Sequence, residues 1–236
     1  MKPSLIGCYK VKIAVLIYNP KVFREVIDRL RKINIDFYVP STINELKELL
    51  SDAPDLSDHI FVMDDELMGL LNVRSHIPNL VLANEKNVLE VISRIILKLL
   101  GRERVGELVL GIDVGKLYAY VLIADGYVVD YGLVMSLSRV VKCVRPWIKH
   151  LNPKVLSVRI GELANIDVLK DLQKLGISME VELIDESSSS KPPRYRPLNN
   201  VNLKEISQDL EAALNIALRS GIKVDLGVTK SSTASI

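Results

Sequence analysis

Apolar positions in the first hundred residues follow two alternating rhythms. Short continuous runs at Val11–Tyr18, Asp36–Val39, His59–Met63 and Leu80–Ala83 have the length and β-branched content of buried strands. Between them lie helix-period segments. Lys21–Ile33 places Val22, Val26, Ile27 and Leu30 on one face behind Pro20, a residue that a first helical turn accommodates. Ser41 and Thr42 ahead of Glu45 form a helix-start signature before Ile43–Leu50, and Val88–Leu100 predicts a closing helix. Strands alternating with helices in this way build a parallel sheet covered by helices.

After the charged, glycine-bracketed segment Gly101–Gly106 the rhythm changes to three consecutive strand-like runs, Glu107–Asp113, Leu117–Ala124 and Tyr127–Met135. Asp125-Gly126 between two such runs is a strong hairpin signal. A helix from about Ser138 to Leu151 is expected next, then strand Val155–Ile160, helix Ile166–Leu175, strand Met179–Ile184 and helix Leu203–Ser220. Ser187–Asn200 (SSSSKPPRYRPLNN) predicts a mobile loop. The expected organisation is a flavodoxin-like α/β domain over residues 1–104, a mixed-sheet domain over 105–222 and a flexible tail over 223–236. The second half departs from the order of a doubly wound dinucleotide fold.

Composition narrows the classes. With 236 residues, 48% hydrophobic and 25% charged, the chain has apolar material for two proper cores and is neither disordered nor collagenous. A net charge of +2 is too small for whole-chain attraction to a polyanion, so any such surface must be local. Cys8 and Cys143 have no zinc or disulfide-framework spacing. The apolar runs are far shorter than the roughly 20 residues of a membrane span, and no signal-peptide pattern opens the chain. A cytoplasmic protein without a membrane partner is expected. Abundant Ile, Val and Leu with plentiful charge of both signs lean toward a thermophilic source.

The chemistry concentrates in the second half. In LVLGIDVG (Leu108–Gly115) a strand ends in Asp113 and turns through glycine, which holds a carboxylate at the open end of a sheet. Continued through Gly132, this segment resembles the opening of the ribonuclease-H-like superfamily, particularly the RuvC-type Holliday-junction resolvases and their YqgF relatives. The resemblance covers about residues 107–220. It implies that Asp113 is a catalytic metal ligand. It likewise assigns acids at later strand ends and on the final helix: Glu162 after Val155–Ile160, Asp185 and Glu186 after Met179–Ile184, and Asp209 ahead of Ala212-Ala213, with Glu211 as its substitute. On a helical wheel Asp209 and Glu211 fall on opposite edges of the apolar arc, so only one can face the sheet. Phosphodiester cleavage by such a cluster uses hard divalent cations, Mg²⁺ or Mn²⁺, ~3.5–4 Å apart. Without a cation, crowded carboxylates repel one another and push a pKa up. The implied partners are structured DNA or RNA and, because a junction has two-fold symmetry, a second copy of the chain.

Other features are weighed beside these. Lys116, after the GIDVG turn, either contacts nucleic acid or pairs with Asp113 in the metal's place, and the latter would mark a non-catalytic binding module. Lys191, Arg194 and Arg196, interleaved with Tyr195, are candidate phosphate and base contacts. Arg139, Lys142, Arg145 and Lys149 recur along the helix that carries Trp147, a spacing that predicts an exposed face with Trp147 inside. In the first half, Asp64-Asp65-Glu66 resembles the phosphoacceptor end of a response-regulator receiver, but Tyr18-Asn19 stands where receivers need an acidic pair. No glycine-rich phosphate loop follows the first strand. That half is expected to be a scaffold or to dock a protein partner. An actin-like ATPase shares the opening strand and hairpin, but the chain is too short for two such domains.

Overall fold

The computed structural model describes residues 11–51, 58–71, 77, 79–161, 168, 172, 179–185, 197–199 and 201–224. The helix expected over Ile166–Leu175 lies, apart from Val168 and Leu172, outside the described residues. The backbone divides into two compact units at Glu103/Arg104, next to the boundary expected from the change in rhythm. Each unit has its own sheet.

In the first unit, strands β1 (Lys12–Leu16), β2 (His59–Asp64) and β3 (Leu80–Ala83) form a parallel sheet in that order. The helices are α1 (Pro20–Lys32), α2 (Ile43–Ser51), α3 (Asp65–Leu71) and α4 (Val88–Leu99). Alternation along the strands sends Ala14, Leu16, Phe61 and Met63 to one face, packed with Leu46 and Leu49 of α2 and Leu67 and Met68 of α3. The second expected strand, Asp36–Val39, shrinks to a single bridge in which Tyr38 pairs with β1 beside Ala14, its N–H donating to the Ile13 carbonyl and its own carbonyl accepting from Val15 N–H. Pro40, two residues on, has no N–H to donate and ends the pairing. Counting that bridge, the spatial order is 2-1-3-4, the order of flavodoxin-like sheets.

The second unit holds six strands in the order β6-β5-β4-β7-β8-β9. These are β4 (Glu107–Val114), β5 (Tyr118–Ala124), β6 (Tyr127–Val134), β7 (Val155–Gly161), β8 (Glu180–Ile184) and β9 (Ile222–Val224). β4, β5 and β6 form an antiparallel meander, β4, β7 and β8 run parallel, and β9 returns antiparallel. The hairpin between β5 and β6 turns at Asp125 (φ 43°) and Gly126 (φ 95°), both left-handed as a type I′ turn requires. The Asp125 carboxylate accepts from Gly106 N–H and Glu107 N–H, each at 2.8 Å, and so ties the turn to the start of β4.

Helices α5 (Leu137–Leu151) and α6 (Gln208–Ala217) cover opposite faces. Val109, Ala119, Val121, Ile123 and Tyr131 bury Leu210, Ala213 and Ala217 of α6. On the α5 face, the buried Asp130 carboxylate accepts from Trp147 Nε1 at 3.0 Å and Tyr120 OH at 3.2 Å. Burial and the neighbouring Asp130 push the Tyr120 phenol far up. The helix expected over Leu203–Ser220 is split into a 3₁₀ turn at Leu203–Glu205 and α6, because Ser207 is extended (φ −167°) and its hydroxyl caps the Asp209 N–H. Ile206, which a continuous helix over Leu203–Ser220 would place in line with Leu210 and Ala213, is exposed as a result. Lys223 and Val224, assigned to the tail, form part of β9. At the end of the segment expected to be a loop, Asn199 is buried and pairs both ways with the backbone of Val128 on β6. Among the described residues no helix is long and apolar enough to cross a membrane.

Candidate functional site

Alternation along β4 places Val109, Gly111 and Asp113 on the face that α6 covers. The helix lies close to the strand because Gly111 has no side chain. A Cβ there would stand 2.6 Å from Ala217 Cβ and 2.8 Å from Ala217 N, well inside van der Waals contact. Glycine on the strand and alanines on the helix therefore set the approach, and Asp209 in the first turn of α6 comes beside Asp113 at the carboxyl end of β4.

The Asp113 carboxyl is half-buried and its pKa is raised, first by desolvation and then by the negative charge of Asp209, with the Val114 N–H pulling the other way. Of the two acids on this first turn, Asp209 acts on Asp113 and Glu211 is not among the groups that do. At the start of a helix Asp209 also sits where the helix dipole favours negative charge. Lys116 is exposed in the turn after β4, and no ion pair joins it to Asp113. Among the described residues the like charge of the exposed Asp209 acts on Asp113 and no basic side chain does.

Asp185 follows β8 at the same end of the sheet, where Gly161 pairs with Ile184, but it is exposed and does not act on Asp113. Glu162 and Glu186, and the basic and aromatic candidates Lys191, Arg194, Tyr195 and Arg196, lie outside the described residues. Among the described residues no group of three or more His, Cys, Asp or Glu side chains is placed to hold a metal ion. Asp113 and Asp209 are the two candidate carboxylates that interact, and the ones that could share a hard cation.

A second polar cluster on the α6 face had no signal in the sequence. Arg159 of β7 is buried, and its guanidinium donates to the Ala217 carbonyl at the end of α6. Glu182 on β8 lies 3.8 Å from Arg159 Nε and accepts from Gly221 N–H at 2.8 Å. Glu107, 3.7 Å from the same guanidinium, accepts from Ser157 Oγ at 2.7 Å. A cation at a helix C-terminus complements its dipole. The cluster fastens the end of α6 opposite Asp209.

In the first unit, the buried Asp64 carboxylate accepts from Asn19 N–H at 2.7 Å and Leu67 N–H at 3.0 Å, joining the start of α1 to the start of α3. Those bonds account for the acid at the end of β2 as a structural tie.

No protein-family profile matches this sequence, and no curated protein matches it.

Proposed function

We propose that the second unit is a metal-dependent nuclease domain that cleaves phosphodiester bonds in structured nucleic acid, with Asp113 as principal ligand and Asp209 as its partner. The observation that carries this reading is the approach of Asp209 to a half-buried Asp113, with burial and like charge together raising the Asp113 pKa. Such a pair is electrostatically unfavourable by itself and favourable around a hard divalent cation. The resemblance of Leu108–Gly132 to the resolvase opening supports the same assignment, and adds Glu162 as a further ligand with Asp185 or Glu186 assisting.

A bound Mg²⁺ or Mn²⁺ would supply Lewis-acid stabilisation of phosphate and an activated water. The chain's own part is to hold two carboxylates at a fixed spacing: β4 holds one rigidly within the sheet, and α6, seated on Gly111 and fastened by Arg159, holds the other. Isothermal titration with Mn²⁺ tests the assignment. Wild type is expected to bind and Asp113→Asn to lose most of the heat, with Mn²⁺-dependent cleavage of junction, flap or RNA/DNA hybrid substrates lost in parallel. Binding that is identical in the two proteins overturns it. A protein that binds nucleic acid yet cleaves none of these, beside an active control nuclease, is a binding module instead.

A further inference from the structure

From Tyr131 to Gly161 the chain contains no Asp or Glu, although 29 acids in 236 residues would place about four in a stretch of that length. The same stretch contains Arg139, Lys142, Arg145, Lys149, Lys154 and Arg159. Four of these lie on α5, and all four are exposed. At 3.6 residues per turn, positions 139, 142, 145 and 149 fall within an arc of roughly 120° and form one stripe along the helix. Among the described residues no ion pair engages Arg139, Lys142 or Lys149. A nearly neutral chain has therefore gathered a positive ridge on one helix.

We infer that the outer face of α5 is a binding ridge for the phosphate backbone of a nucleic-acid duplex, read without regard to sequence. The ridge lies across the sheet from Asp113, so the inference goes beyond the nuclease site and rests on that reading only for the class of partner. The ridge spans about 15 Å from Arg139 to Lys149 at 1.5 Å per residue. Along one strand of a duplex, with a charge every ~3.4 Å of axis, that length holds about four phosphates. The three cations that no ion pair engages among the described residues, Arg139, Lys142 and Lys149, thus lie along a run of about four anions.

The residues between the cations favour this partner over others. The apolar side of α5, with Val140, Val144, Trp147 and Leu151, is buried against the sheet and cannot enter a lipid surface. Trp147 is 2% exposed and its indole N–H is committed to Asp130, so the ridge offers no aromatic anchor for a protein partner and no ring on which an unpaired base can stack. What remains is regularly spaced positive charge, which suits a regularly spaced polyanion.

The test is fluorescence anisotropy of a labelled 20-base-pair DNA duplex titrated with the full chain in EDTA over a series of salt concentrations. Wild type is expected to bind with strong salt dependence. The variant Arg139→Ala/Lys142→Ala/Lys149→Ala should bind more weakly, and the slope of log K against log salt should become shallower by about 2.7, or ~0.9 for each phosphate left without its cation. A control that removes equal charge elsewhere, Arg24→Ala/Lys47→Ala/Lys86→Ala, should leave the slope unchanged. Far-UV circular dichroism checks that both variants fold. Identical slopes in ridge variant and control overturn the inference. So does poly-glutamate or a phosphatidylserine vesicle bound as tightly as the duplex. Because EDTA removes metal-dependent cleavage, binding without any later cleavage refutes the nuclease reading alone. Cleavage with unchanged binding by the ridge variant refutes the ridge alone.

Discussion

Replacing Gly111 by alanine tests how closely α6 is seated on β4. The added Cβ would lie 2.6 Å from Ala217 Cβ and 2.8 Å from Ala217 N, and closer still to the Ala213 carbonyl oxygen. Carbon atoms pack at about 3.5–4.0 Å, so the helix must retreat by roughly 1 Å. Overpacking a core costs about 1–3 kcal/mol, and the upper end applies because backbone atoms of a regular helix, unlike a flexible side chain, cannot swing aside. A loss of about 3 kcal/mol corresponds to a fall in Tm on the order of 10 °C. Removing the Ala217 methyl in a Gly111→Ala/Ala217→Gly double variant leaves the amide nitrogen and the carbonyl in the way and adds a glycine to the helix, so no recovery is expected. Thermal unfolding gives the first measurement. NMR titration of the Asp113 side-chain carboxyl gives the second: as α6 moves away, the raised pKa of Asp113 should fall toward its ordinary value. A change in Tm under 2 °C with an unaltered Asp113 titration would refute the close seating of the helix.

Three further outcomes follow from the same structure. Asp113 has a raised folded-state pKa, so protonation stabilises the fold: its contribution is fully present below the unfolded value near 3.8 and is lost as pH rises through the folded value. Asp113→Asn should therefore raise the stability measured by urea unfolding at neutral pH in EDTA, by up to about 1 kcal/mol for a half-buried Asp113 beside an exposed Asp209, with the advantage shrinking on acidification; a pH-independent difference contradicts the like-charge account. Asp130→Ala leaves Trp147 Nε1–H and the Tyr120 hydroxyl buried without their acceptor and should cost about 2–4 kcal/mol, followed in urea by the emission of the chain's single tryptophan; an unchanged midpoint would show that the network is not stabilising. Arg159→Met strands the buried Glu182 and frees the end of α6, with an expected cost of about 3–5 kcal/mol by denaturant unfolding, whereas a loss below about 1 kcal/mol would count against the clamp.

What the sequence made legible was local. Asp125-Gly126 specifies its own hairpin, since both residues tolerate the left-handed backbone that a type I′ turn needs. Asp113 at the end of an apolar run before glycine is equally self-announcing. The strand expected over Asp36–Val39 fails because β propensity in those residues is real while the available edge of β1 offers Tyr38 only one bridge before Pro40. The final helix breaks at Ser207 because capping by a hydroxyl competes there with a continuous apolar period. The choice between Asp209 and Glu211 depends on how α6 is rotated on the sheet, which Gly111 and the alanines decide from distant points in the chain. An isolated glycine within an apolar strand signals close backbone approach, and at Gly111 that signal was there to be used. The Arg159 cluster carried no such signal, since Glu107, Glu182 and Ala217 reach it only through register and helix packing.

In the proposed function Asp113 and Asp209 together hold a divalent cation. Crystals soaked in Mn²⁺ and measured at the manganese absorption edge test it most directly. An anomalous peak is expected about 2.0–2.2 Å from one carboxylate oxygen of each residue. Coordinates that hold the two carboxylates apart, or manganese bound elsewhere with none at Asp113, would contradict it.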